Sequence, residues 1–197
     1  MTISARIDYE SIFQHAPVGM CISQHRVIHA CNDALADMFA YAKDALNEQS
    51  FSILYPSYVE FERTGARIIP IMNAKGHYSD ERIMKRADGQ LFWCHVSGRA
   101  LVADDPHAAG IWTFEDLSEK RPVTAELTPR EREIAALLVD GKTSKAIARQ
   151  IGLSPRTVEM HRARLMRKFA ATTASELLNR LLGVSRQIET AETNTEL

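Results

Sequence analysis

The stretch GLSPRTVEMHRARLMRKF, Gly152 to Phe169, carries five Lys or Arg residues and a single acid, Glu159, behind a Gly-Leu-Ser-Pro turn. Placed on a helical wheel from Pro155, it divides in two. Val158, Leu165 and Phe169 share one side, flanked by His161 and Met166, because side chains three and four apart stack on a helix. Arg156, Glu159, Met160, Ala163 and Arg167 share the other, with Arg162, Arg164 and Lys168 at its edges. Only Gly152-Leu153-Ser154 separates this helix from an earlier one carrying Ile147, Ala148 and Ile151. Two helices joined by so short a Gly-containing turn make a helix-turn-helix, whose second helix fits the major groove of double-stranded DNA. The small Ala163, beside Met160, lets the backbone approach base edges. Ser154, Thr157 and the arginines are suited to phosphates. A solvated cationic helix is the plainer reading of such a charge run. The turn spacing, the cap and the clustering of charge favour the DNA reading.

Charge along the rest of the chain points the same way. The net charge is −1 over 197 residues, but residues 1–126 carry −5, residues 127–186 carry +7, and the tail 187–197 adds three glutamates. An acidic half joined to a compact basic half suggests that the basic part meets a polyanion. No run of about 18 apolar residues exists, and the first residues lack the basic-then-apolar order of a secretion signal, so a cytoplasmic location and no membrane contact are expected. Cys21, Cys31 and Cys94 are odd in number and lack C-x-x-C spacing, so buried free thiols are expected rather than a redox sensor.

The polar segment 118–126, SEKRPVTAE, marks a boundary, because Pro122 disfavours a helix across it. The expected domains are 1–121, a linker 122–126, a second domain 127–186, and a polar tail 187–197. After the boundary the pattern is all helical. Thr128-Pro129 opens a helix with Ile134, Leu137 and Leu138, ended by Gly141. Thr143 or Ser144 starts the next, Ser154-Pro155 the third, which runs to about Ala170. Thr173 to Leu182 forms a fourth. Before the boundary the pattern is α+β. Asp8 to Gln14 reads as a short helix. Gly19 to Ser23 and Arg26 to Ala30 read as strands around a turn at Gln24-His25. Asn32 or Asp33 caps a helix, and Ser50 to Ile71 contains helical turns. Three strands follow: Tyr78 to Arg86, Leu91 to Val102 after the hairpin signal Asp88-Gly89, and Gly110 to Leu117.

At these residues two family resemblances enter. LTPREREIAALLVDGKTSKAIARQIGLSPRTVEMHRARLMRKF resembles the LuxR/GerE-type helix-turn-helix of bacterial transcription regulators over about 127–183. Its SPRTVEMHRARLMRKF is most like the FixJ-like branch. The resemblance implies DNA contacts from Lys145, Ser154, Arg156, Thr157, Glu159, Met160, His161, Arg162, Ala163, Arg164, Arg167 and Lys168. It also implies a dimerisation role for the fourth helix through Leu177, Leu178 and Leu181, although that helix equally suits packing within its own domain. Ala146 and Glu159 depart from the common Glu and Lys. Glu159 suits either a hydrogen bond from cytosine N4 or an ion pair with Arg156 or Arg162.

APVGMCISQHRVIHACNDALADMFAYAKDAL, RADGQLFWCHVSGRAL and GIWTFEDLSEKR resemble a PAS domain over about 9–121. The family senses signals and dimerises, with haem, flavin, a small molecule or nothing bound, so fold alone does not choose. Cys31-Asn32 is not the cysteine motif of a photoactive flavin domain, and the helical region 50–74 holds no axial histidine, so neither haem nor flavin is indicated. A metal from His77 and His95 has still less support. Met38, Phe39, Phe51, Leu54, Tyr55, Tyr58, Ile69, Met72, Met84 and Trp93 are candidates to line an apolar cavity for a small-molecule effector, although such residues are more often plain core. In Leu91 to Val102, Phe92, Cys94 and Val96 alternate with Trp93, His95 and Ser97, and the pattern leaves open which face is inward. The acidic cluster of a receiver domain is missing, which argues against control by phosphorylation. His95 with Ser97 or Cys94 lacks an orienting acid, so no enzyme is expected. The expectation is therefore a homodimeric transcription regulator, with a small-molecule effector in the PAS domain and RNA polymerase a candidate partner. The alternative is a PAS domain that only dimerises or docks partners.

Overall fold

The computed structural model describes residues 8–120, 123 and 127–182. The linker 122–126, save Val123, and the tail 187–197 lie outside them. Five antiparallel strands form one sheet in the order β2-β1-β5-β4-β3: β1 Gly19–Gln24, β2 Val27–Cys31, β3 His77–Lys85, β4 Leu91–Ala100 and β5 Gly110–Asp116. The first turn falls at His25 and Arg26, both left-handed (φ 48° and 65°), one residue later than the sequence suggests.

Helices α1 Tyr9–Gln14, α2 Asp33–Met38 and α3 Tyr58–Lys75 accompany the sheet, with a 3-10 turn at Phe51–Leu54. Asp8, Asn32 and Ser57 cap the three helices, their side chains accepting from free backbone N–H groups of the first turn. α3 is longer than its sequence pattern suggests. It runs through Pro70, which removes one backbone hydrogen bond. Packing of Phe61, Thr64, Gly65, Ile68 and Met72 under neighbouring elements holds the helix across that gap.

Both faces of the sheet are used. The inner face, with Cys21, Met84, Phe92, Cys94, Val96, Trp112 and Phe114, packs against α2 and α3. Gly98 stands opposite Trp112 across β4 and β5, and a Cβ there would lie 2.2 Å from the indole, so the ring occupies the space of a side chain. The three cysteines are free and buried, and burial raises all three thiols, which makes them core rather than reactive groups.

The second unit is α4 Pro129–Val139, α5 Ser144–Ile151, α6 Pro155–Lys168 and α7 Ala174–Leu181. Thr128, Thr143, Ser154 and Thr173 cap them, Thr128 in a reciprocal capping box with Glu131. α6 ends at Lys168, shortly before the expected Ala170. Gly152, at φ 66°, closes α5 in the left-handed region and turns the chain into α6. The core of this unit, built on Ile134, Ile147, Val158, Leu165, Leu177 and Leu181, continues without a break into Ile83, Trp93 and Leu117 from the outer face of the sheet. The two units are thus packed together, with α4 against the sheet.

Candidate DNA-reading surface and sensory cavity

On α6, Val158 and Leu165 are buried, while Arg156, Glu159, Met160, Ala163, Arg164 and Arg167 are exposed and uncovered by the first unit. Met160, 46% exposed, is the large apolar side chain of that face. Lys145 is exposed at the start of α5. Ser154 Oγ accepts from the Thr157 backbone N–H at 3.1 Å and lies 2.8 Å from Thr157 Oγ1, so both hydroxyls are oriented before any phosphate arrives. Glu159 lies 3.7 Å from Arg162 on the same helix, the ion-pair alternative raised by the sequence. With Glu159 half exposed the pair is weak and screened.

Two expected DNA residues are engaged within the unit itself. Lys168 Nζ ion-pairs at 2.7 Å with Glu131 of the capping box, a carboxylate that is almost fully buried. Burial opposes the Glu131 charge, but Lys168 and the Thr128 N–H outweigh it and keep its carboxyl below the usual range. Lys168 therefore ties α6 to α4. His161 is half-buried toward the core, with Nδ1 enclosed and unpaired, and burial followed by the nearby Arg164 lowers its pKa. Leu177 and Leu181 are each 1% exposed within their own unit; only Leu178 of the three expected interface leucines keeps surface.

The first unit holds a cavity of about 30 Å3 between the inner sheet face and α3. Of the expected lining residues, Phe51, Tyr55 and Met84 reach it. Phe39, Leu54 and Met72 are buried in the surrounding core, and Met38 is half-buried against it. Tyr58 and Ile69 are exposed, at 67% and 37%, on the solvent side of α3. Trp93 points the opposite way and is buried by the second unit. Burial in the PAS core makes Phe92, Cys94 and Val96 the inward set of β4.

The cavity wall also carries polar groups, which an apolar pattern in the sequence does not reveal. Trp112 Nε1 donates to Ser23 Oγ at 3.0 Å. Arg82 donates from Nη1 to the Tyr55 hydroxyl at 2.6 Å and from Nε to Asp80 at 2.7 Å. Arg67 and the Tyr78 hydroxyl donate to the other Asp80 oxygen at 2.8 and 2.6 Å. Burial works against the Asp80 charge, but Arg82 and Arg67 outweigh it and hold its carboxyl below the usual range. Arg26 lies over the Phe61 ring, 3.5 Å from its centre, and lines the cavity together with His107. The even-numbered residues of β3, Tyr78, Asp80, Arg82 and Met84, share one face, so placing Met84 inward could have placed Arg82 there.

Tyr55 and Arg82 also line a second cavity of about 30 Å3 between the units, alongside Glu60, Thr64 and Arg132. There Arg132 of α4 meets Glu60 of α3 in two hydrogen bonds of 2.7 Å. Arg132 donates further to the Leu127 carbonyl, and Ser57 Oγ to Glu60 at 2.6 Å. Glu133 joins Arg63 across the junction at 3.5 Å.

His95 and Ser97 face away from Cys94, and the His95 ring contacts the Ser79 hydroxyl at 3.2 Å. Among the described residues no three His, Cys, Asp or Glu side chains cluster, and no helix is long and apolar enough to cross a membrane.

Residues 17–119 match the model of the PAS domain, and residues 125–180 that of the bacterial regulatory proteins, luxR family. The chain belongs to the PAS-domain family and carries a luxR-family helix-turn-helix beside it. Its PAS half is similar to that of a LuxR-family transcriptional regulator from Burkholderia thailandensis, crystallised with ethanol: 59% identity, TM-score 0.56, 57% of this chain and 99% of that one. Its second half is similar to the transcriptional regulatory protein FixJ of Bradyrhizobium diazoefficiens, 46% identical over 79 residues, 40% of this chain and 37% of FixJ. Across both domains the fold is like that of the VqmA dimer of Vibrio cholerae without target DNA: 20% identity, TM-score 0.53, 91% of this chain and 89% of that one. The chain spans 37% of FixJ and 24% of a second curated relative, sensor protein TdiS of Thauera aromatica.

Proposed function

We propose that the protein is a sequence-specific DNA-binding transcription regulator whose DNA affinity is set by a small molecule in the PAS cavity. The observation that carries this is the shared wall. Tyr55 and Arg82 face the sensory cavity on one side and the Glu60–Arg132 contact on the other. A ligand that moved Tyr55 would shift the start of α3, where Glu60 sits, and with it α4. The reading face of α6 is already exposed, so the signal acts on how two modules are presented to DNA rather than by uncovering one.

The working form is a homodimer on an inverted-repeat site. VqmA is a dimer, and Leu178 with the exposed Tyr9 and Ile12 of α1 supplies apolar surface for pairing. The Burkholderia PAS domain holds ethanol, which supports a ligand of similar size. On α6, Arg156, Arg164 and Arg167 contact phosphates, while Glu159, Met160 and Ala163 face the bases. The test is fluorescence-anisotropy titration of labelled DNA, selected in vitro with this protein, before and after extraction of small molecules. Affinity should change by about fivefold or more. An unchanged isotherm would leave the PAS domain as a dimerisation module.

A further inference from the structure

The donors and acceptors around the PAS cavity do not balance. Ser23 accepts from Trp112, and Tyr55 accepts from Arg82, so each hydroxyl keeps its own proton free to donate. Both hydroxyls line the cavity. Arg82, also on the wall and fully buried, is held by Asp80, its Nε donating at 2.7 Å and its Nη2 ion-paired to the same oxygen. Two arginines and no Asp or Glu line the space.

The buried charge is also uneven. Among the described residues, Arg67 and Arg82 share one carboxylate, Asp80. Tyr78 does not supply a second negative charge, because burial, then Asp80, push its phenol far up. One positive charge is left over beside the cavity, and buried charge is costly unless paired. A cationic or donor-only ligand would meet donors of its own sign. An anion with two acceptor oxygens would answer both imbalances together. The volume, about 30 Å3, admits a few heavy atoms at most before side chains must move.

We infer that the effector class is a short-chain monocarboxylate, of the size of formate, acetate or propionate, with its oxygens held by Arg82, Tyr55 and Ser23. This rests on the reading of the cavity as the sensing site, and it adds the chemistry. The carboxylate lies toward β3, and the methyl or ethyl group lies among Phe51, Ile68 and Phe114.

The chain has two tryptophans, Trp93 and Trp112, and only Trp112 touches the cavity. Its indole N–H resonance in the 15N-labelled full chain therefore reports occupancy, with Trp93 as internal control. Sodium acetate and propionate, titrated at fixed pH and ionic strength, should shift the Trp112 signal saturably and leave Trp93 in place. Acetamide, ethanol and propylamine should bind at least tenfold more weakly. Arg82→Gln should abolish the shift. Because that change strips Asp80 of a partner and can impair folding, Ser23→Ala and Tyr55→Phe are the second test, each expected to weaken acetate binding about threefold to tenfold. Equal binding of ethanol or acetamide, with Arg82→Gln without effect, would overturn the carboxylate class while leaving the cavity as a binding site. A Trp112 signal unmoved by every compound would overturn the sensing site as well.

Discussion

Glu60 and Arg132 come from different domains and meet in a bidentate pair, both hydrogen bonds 2.7 Å, with both side chains 10% exposed. Such a pair requires both partners, because removing one leaves a desolvated charge, which within a single core costs about 3–5 kcal/mol. Here the domains can separate and let water in, so the cost is capped by the strength of the junction. Glu60→Gln is expected to uncouple the domains rather than unfold either. Thermal unfolding should split into two transitions, and protease should cut faster between residues 118 and 127. Arg132→Gln should do the same. A single unshifted transition in both variants would show that the apolar seam of Ile83, Trp93 and Leu117 suffices without the pair.

Lys168 and Arg164 are close on α6 and predicted to behave oppositely. Lys168→Ala removes a partner from buried Glu131 and should cost about 1 kcal/mol of stability, with little change in DNA affinity. Arg164→Ala should leave stability within about 0.5 kcal/mol and lower the salt dependence of DNA binding by about one phosphate contact. Met160→Asp should abolish specific binding. Chemical denaturation and salt-dependent DNA titration read the two effects separately.

Gly98 faces the Trp112 ring at a distance no Cβ tolerates. Gly98→Ala should destabilise the PAS domain by about 1–3 kcal/mol through overpacking. Combining it with Trp112→Leu should recover part of the loss, since the smaller residue frees the space. Urea midpoints of the three variants test this, and a Gly98→Ala protein of unchanged midpoint would contradict the packing described.

His161 and His107 both have pKa values lowered from 6.5, by burial first, then by Arg164 and Arg26 respectively. A depressed histidine favours its neutral form in the fold, so its contribution is complete above the unfolded pKa and is lost as pH falls from about 6.5 toward the folded value. Stability should therefore decline on acidification from about pH 7 to about pH 5. His161→Gln should flatten that decline in the helix-turn-helix. An identical pH profile for wild type and variant would contradict the enclosed position of the ring.

Local chemistry was the legible part of the fold. Thr128, Ser154 and Thr173 announce helix starts through their own hydroxyls, and Gly152 announces a stop, because the groups that act are neighbours in the chain. Features set by distant partners were not legible. The length of α3 depends on packing across Pro70. β4 is buried on both faces, so alternation separated Trp93 from Phe92 without showing that another domain covers the tryptophan. Nothing local in the charge run distinguishes Lys168, whose ammonium ion-pairs with Glu131 of α4, from Arg164 four residues earlier. The cavity's polar groups Ser23 and Arg82 lie on strands whose inward register only the sheet reveals.

The central claim is that the sensory cavity and the reading helix are coupled through the Glu60–Arg132 junction. Its most direct test is the DNA-binding isotherm of full-length Glu60→Gln beside wild type, on the same selected DNA, with and without saturating acetate. The account predicts that wild type responds to the effector, that the variant differs from it by about fivefold or more, and that the variant no longer responds. Superimposable isotherms for the two proteins, each shifted equally by acetate, would contradict it.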